Sequence, residues 1–212
     1  MFGYCGGMTG WTEPEHDASG RVDPDEALRH TALAQAGFFT ARQAIAHGIA
    51  TIDFVGRIAA GHWVRIESDL FRLGDSPHTK FDEFAQWCAW YEGAAVVSHQ
   101  SAADLHGMGH LQPRFLHLST ADQRTVPSNR LALHHRQLRA QDCEQVGCFR
   151  ITTPARTAVD LAAGGVSQEV LDELVGDAIA IGRVTSAQLH AAVADQPAAV
   201  ADRIELALLA AG

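Results

Sequence analysis

Two groups of side chains in this 212-residue sequence are suited to chemistry. The first is His99, Asp104, His106 and Asp160. Imidazoles change charge near neutral pH, and carboxylates beside them can orient them for general acid–base work. No nucleophile elbow, phosphate-binding loop or carboxylate–metal pattern accompanies this set. His99 and Asp104 fall on one short capped helix, and Asp160 has Arg156 four residues before it as an ion-pair partner. The local reading is therefore structural, and the chain is not expected to be an enzyme. The second group is His134, His135, Cys143 and Cys148, which carry metal-ligating atoms. Their spacing matches no zinc signature, and the chain has neither a CxxC pair nor an HExxH motif. No metal and no cofactor is expected.

A different kind of site needs elements that hold a helix outward, and the stretch from Gly37 to Leu73 supplies them: GFFTARQAIAHGIATIDFVGRIAAGHWVRIESDLFRL. Thr40 is a suitable N-cap for a helix from Ala41 to His47, and Gly48 can take the left-handed conformation that stops it. Ala44 and Ile45 are expected inside, Arg42 and Gln43 outside. Thr51 is expected to cap a second helix, Ile52 to Ala60, with Ile52, Val55 and Ile58 or Ala59 as its buried stripe. That leaves Asp53, Phe54 and Arg57 on the other side. The runs His62–Ile66 and Leu70–Leu73 read as strands joined by the turn Glu67-Ser68-Asp69. Helix, turn, helix and hairpin in this order form a winged helix-turn-helix, a module that places one helix in a DNA groove. The same order also serves as a packing unit in protein-interaction domains.

The rest of the chain frames this module. With 47% hydrophobic and 19% charged residues it can bury a sizeable core. The net charge of -9 and pI near 5.7 run against nucleic-acid binding. Arginines are concentrated between Arg114 and Arg156, whereas carboxylates dominate after Asp160, from Glu169 to Glu205. Four cysteines without a CxxC pair, no secretory leader and no long apolar run lead to an expected cytoplasmic, reducing setting without a membrane partner. Residues 1–22 lack periodicity and read as a disordered arm. Residues 23–75 read as the winged helix, opened by a helix capped at Asp23-Pro24 with Leu28, Ala32 and Leu33 facing in. Gly74-Asp75-Ser76-Pro77 marks a boundary. Residues 76–212 read as a mixed α/β domain ending in helices, so the fold class is α+β. Its segments are an aromatic helix to Tyr91, a helix after Ser98 and strands near Phe115, Leu131 and Phe149. A helix follows from Thr153-Pro154, then helices to Ala211.

Four blocks in order, GFFTARQAIAHGI, AAGHWVRIESDLFRLGD, VVSHQSAADLHGM and RITTPARTAVDLA, resemble the AbiEi family of antitoxins and transcriptional regulators. The resemblance implies an N-terminal winged helix that binds operator DNA and represses its own operon. It also implies a C-terminal domain that neutralises a cognate nucleotidyltransferase-like toxin. By position, it assigns DNA contacts to Thr51, Asp53 and Arg57 on the second helix and to Arg65 and Arg72 on the hairpin. Arg42 and Gln43 would hold backbone phosphates. Paired half-sites would fit a homodimer or cooperative assembly on DNA. The wing tip Glu67-Ser68-Asp69 departs from the basic tips of relatives and would repel phosphate. A module that binds the toxin without DNA, through its acidic C-terminal helices, is the alternative.

Overall fold

The computed structural model describes residues 23–124, 126 and 128–212. The arm assigned to residues 1–22 lies outside them. By contacts the described chain forms two compact units, one running to Gly93 and including Gly147–Phe149, the other from Ala94.

The first unit opens with α1, Pro24–Leu33, where the Asp23 side chain accepts from the Asp25 amide. Leu28 and Ala32 are buried as expected, but Leu33 is half-exposed. β1, Phe38–Thr40, leads directly into α2, Ala41–Ala46. Thr40 and Gln43 close a reciprocal capping box: the Thr40 hydroxyl accepts from the Gln43 amide and the Gln43 side chain accepts from the Thr40 amide. Ala44 is buried, whereas Ile45, expected inside, is half-exposed. Gly48 has φ +94°, and α2 has ended just before it.

The second helix differs most from expectation. A 3-10 turn over Thr51–Asp53 precedes α3, Phe54–Ala59, and the Thr51 side chain caps nothing. Ile52 is 83% and Val55 74% exposed, while Phe54 is buried. The helix is rotated relative to the expected stripe because aliphatic residues sit on two of its faces and periodicity alone cannot choose between them. The aromatic ring decides: it hides more area than either aliphatic side chain. Phe54 meets Trp63 and Phe71 edge-on at 5.1 and 5.5 Å between ring centroids, and Phe39 meets Trp63 at 4.9 Å. Leu28, Ala32, Ala44, Ile49 and Leu73 complete this core, with Ile58 packed against it.

β2, Trp63–Arg65, and β3, Leu70–Leu73, pair antiparallel with Trp63 opposite Leu73, and β1 pairs antiparallel on the other edge of β3. At the base of this hairpin a Cβ on Gly74 would lie 2.1 Å from the Gly61 carbonyl oxygen, so only glycine fits there. α4, Asp82–Trp90, which lies beyond the sequence boundary at Asp75, packs with this unit: Phe81 and Phe84 contact Phe149 at 6.0 and 5.7 Å.

The second unit is built on a five-stranded sheet of order β6-β5-β4-β8-β7. Its strands are β4, Val96–Val97; β5, Leu116–Thr120; β6, Leu131–His135; β7, Cys143–Val146; and β8, Phe149–Thr152. The β4–β8 and β5–β6 pairs are parallel, and β4–β5 is antiparallel. β4 and β7 have no counterpart in the sequence reading; a two-residue strand and one reading Cys-Glu-Gln-Val carry no alternating signal. α5, His99–His106, and α6, Pro154–Ala163, pack together, and α7, Gln168–Ala180, lies along α9, Ala198–Ala211, with α8, Ser186–Val193, beside them. Leu161, Leu171, Leu174, Leu189 and Ile204 are fully buried among these helices. Among the described residues, no helix is long and apolar enough to cross a membrane.

Candidate functional site

The residues assigned to DNA separate into three kinds. Thr51 and Asp53 are exposed on the 3-10 turn, next to Ile52 and Val55. Arg42 and Arg65 are also on the surface, each with bonds inside the unit. Arg42 Nε donates to Glu92 Oε1 at 2.9 Å and its terminal nitrogen pairs with Glu92 Oε2; the Thr40 hydroxyl donates to the same carboxylate at 2.6 Å. Arg65 donates to the carbonyls of Glu67 and Ser68 at 3.3 and 2.7 Å, bracing the hairpin turn.

The third kind is committed to the interior of the unit. The Gln43 amide is held by the capping box and by Gln35, at 3.2 Å in each direction. Arg57 pairs with Asp25 and lies over the Trp63 ring at 5.2 Å, with its Nε buried and without a hydrogen-bond partner. Arg72 is 3% exposed. It donates to the Pro77 carbonyl at 2.7 Å, covers the Phe38 ring at 5.4 Å and faces Asp82 at 3.6 Å. Strand alternation places it on the face opposite Phe71 and Leu73, where Phe38 and the segment from Pro77 to Asp82 cover it, so it offers no surface to a phosphate. Ile52 and Val55, missed as surface residues, stand where Arg57 was expected. The signal that could have found them is Phe54, whose ring belongs in the core.

In the second unit, polar groups gather in the interior between α5, α6 and the sheet. Ser98 precedes α5, yet its hydroxyl makes no cap; it accepts from Ser119 at 2.9 Å and lies 3.0 Å from His99 Nδ1. His99 has φ +51°, a left-handed conformation that costs a non-glycine residue free energy. Its ring stacks on His134 with centroids 3.4 Å apart, and His134 Nε2 lies 3.0 Å from His117 Nδ1. Burial, then the neighbouring imidazoles and arginines, push His99 down to about 3 and His134 down to about 4. Asp160 is fully buried, and one of its oxygens accepts from Arg136 at 2.6 Å and from Arg156 at 2.8 Å. Burial raises its carboxyl while the two guanidinium groups oppose that shift.

This geometry does not assemble the acid–base set. His106 Nε2 lies 2.8 Å from the Thr152 carbonyl, and its ring lines a cleft of about 510 Å³ with Arg139, Asp142, Glu144, Arg156 and Arg183. His99, Asp104 and Asp160 are not among that cleft's walls, and Asp104 is exposed. His134, His135, Cys143 and Cys148 are not brought together either. Among the described residues, the group with metal-ligand atoms within 4.8 Å of one another is His110, Glu173 and Asp177.

Residues 94–209 match the model of the AbiEi antitoxin C-terminal domain. No curated protein matches the chain. Among solved structures it is similar to the RV2827C protein from Mycobacterium tuberculosis, at 14% identity and a TM-score of 0.55, covering 88% of this chain and 77% of that one. At that identity the likeness is one of fold.

Proposed function

The chain belongs to the AbiEi antitoxin family, and on that premise we propose that it is a DNA-binding repressor acting as the antitoxin of a toxin–antitoxin operon. In this reading it represses its own operon and neutralises a nucleotidyltransferase-like toxin without catalysis, in the cytoplasm. The observation that carries the DNA half is the α2–turn–α3–hairpin arrangement on one aromatic core, with the outer side of α3 open to solvent. This arrangement supports the reading of a winged helix-turn-helix. The antitoxin half rests on the family match over the second unit.

A specific observation favours the second reading, a module that binds the toxin alone. In the first unit Arg29 pairs with Asp75, Arg42 with Glu92, Arg57 with Asp25 and Arg72 with Asp82, so cation after cation is neutralised within the fold. A gel-shift assay with the DNA upstream of its own reading frame separates the two. A shift at low salt that fades at moderate salt is the expected result. No shift at either salt removes the repressor and leaves the interaction module. Co-purification with the product of the adjoining gene tests the antitoxin half.

A further inference from the structure

The outer face of α3 carries no cation. Val55, Gly56 and Ala59 share it, Ile52 stands just before them on the 3-10 turn, and all four are exposed. Gly56 is the unusual member. A Cβ added to it would meet nothing within 4 Å, and its φ is not left-handed, so neither packing nor backbone geometry within the unit calls for glycine. Glycine inside a helix is less favourable than alanine by roughly 1 kcal/mol. The absent side chain is accounted for if something outside the protein comes close to the helix there.

We propose that this face reads thymine in the major groove, with Ile52 and Val55 packing on thymine methyl groups and Gly56 letting the helix approach the base edges. The proposal rests on the DNA-binding reading above. An α-helix with its side chains is about 10–12 Å across, and the major groove about 12 Å wide. Apolar side chains are the natural partners of the thymine methyl, the one apolar group a base pair displays there. Asp53, beside Ile52, would be repelled by phosphate, which turns this end of the helix toward base edges. A protein partner fits less well: three side chains fall far short of the roughly 20–30 residues a side that a stable protein interface uses.

The test is fluorescence anisotropy with the full chain and duplexes from the DNA upstream of its reading frame, each thymine in turn replaced by deoxyuridine. Uracil keeps every hydrogen-bonding group and loses only the methyl. Replacement at contacted positions should weaken binding roughly fourfold each, the worth of one buried methyl-sized group. Ile52→Ala and Val55→Ala should each weaken the thymine duplex and abolish the difference at one position. Gly56→Ala should raise the melting temperature and weaken binding. A wild-type chain that binds thymine and uracil duplexes equally overturns the proposal and leaves DNA binding intact. A chain that binds none of the duplexes at low salt overturns both. Sedimentation of the same samples identifies the rival occupant: if Ile52→Ala and Val55→Ala dissolve a dimer yet leave DNA affinity unchanged, the face belongs to a second copy, and the proposal falls.

Discussion

Arg72 holds the segment after β3 by a single side chain, reaching the Pro77 carbonyl, Asp82 and the Phe38 ring from a position with almost no solvent access. Truncation to alanine leaves Asp82 without that cation and opens a gap over Phe38. Arg72→Ala should therefore destabilise the protein by about 3 kcal/mol, the range for breaking a buried pair, measured as a shift in the denaturant midpoint. Asp160 presents the same logic in the second unit, because two arginines converge on one of its oxygens. Asp160→Ala should cost about 3–5 kcal/mol, whereas Asp104→Ala, at an exposed position, should stay within about 0.5 kcal/mol. Equal effects of the two substitutions on the midpoint would contradict this assignment. Arg57 is intermediate: its partner Asp25 is half-exposed, so the pair is worth at most about 1 kcal/mol, with a similar amount from the stack on Trp63.

At the scale of elements, the histidine stack joins α5, β5 and β6 through His99, His117 and His134. Burial holds all three below the usual histidine value. The folded state therefore keeps them neutral while the unfolded chain, titrating near 6.5, takes up protons first. The stability this gives is fully present above about pH 6.5 and is lost as pH falls toward about 3, the folded value of His99. Where His99 is charged only in the unfolded chain, the slope is about 1.4 kcal/mol per pH unit. Asp160, raised by burial, acts in the opposite sense. The histidine loss should begin where the unfolded imidazoles start to charge and show between about pH 6.5 and 5. Thermal melts over that interval check it: the melting temperature should fall, and less steeply in His134→Gln.

Element boundaries in the first unit were largely legible because caps are local chemistry. Asp23-Pro24, Thr40 with Gln43, and Gly48 each fix a terminus within a few residues. The face of α3 was not legible. Which of Phe54 or Ile52 turns inward depends on Trp63 and Phe71 arriving from the hairpin, and that is a tertiary fact. The same holds for Arg72 and Arg57, whose charge suggested surface while their guanidinium groups found partners from Pro77 and Asp25. Ser98 marked the start of α5 correctly, yet its hydroxyl serves the histidine layer, a partner set visible only once β5 lies alongside.

For the whole molecule, a net charge of -9 with much of the first unit's cationic charge internally paired limits what electrostatics can contribute to a polyanion. If Arg42 and Arg65 are the phosphate contacts, the plot of log affinity against log salt should have a slope of about -2 per protomer, far shallower than that of a basic repressor. Replacing Glu67 and Asp69 at the wing tip by Gln and Asn should raise affinity for DNA and leave the melting temperature nearly unchanged, since Asp69 is exposed and Glu67 only partly buried. Titrations at several salt concentrations measure both quantities. A slope near -6 would mean that internal pairs open on binding.

The close approach of Gly74 to Gly61 makes the β-ribbon a lever with a fixed fulcrum. Its two chains touch backbone to backbone at the root, where the Gly74 amide also donates to the His62 carbonyl, and nothing there can yield. Compliance is left to the far end, Ser68 and Asp69, braced at the Ser68 carbonyl by the Arg65 side chain, so these two amide protons should exchange with deuterium quickly and those at the root slowly. Anything that grips the ribbon will feel a rigid stem carrying a pliable fingertip.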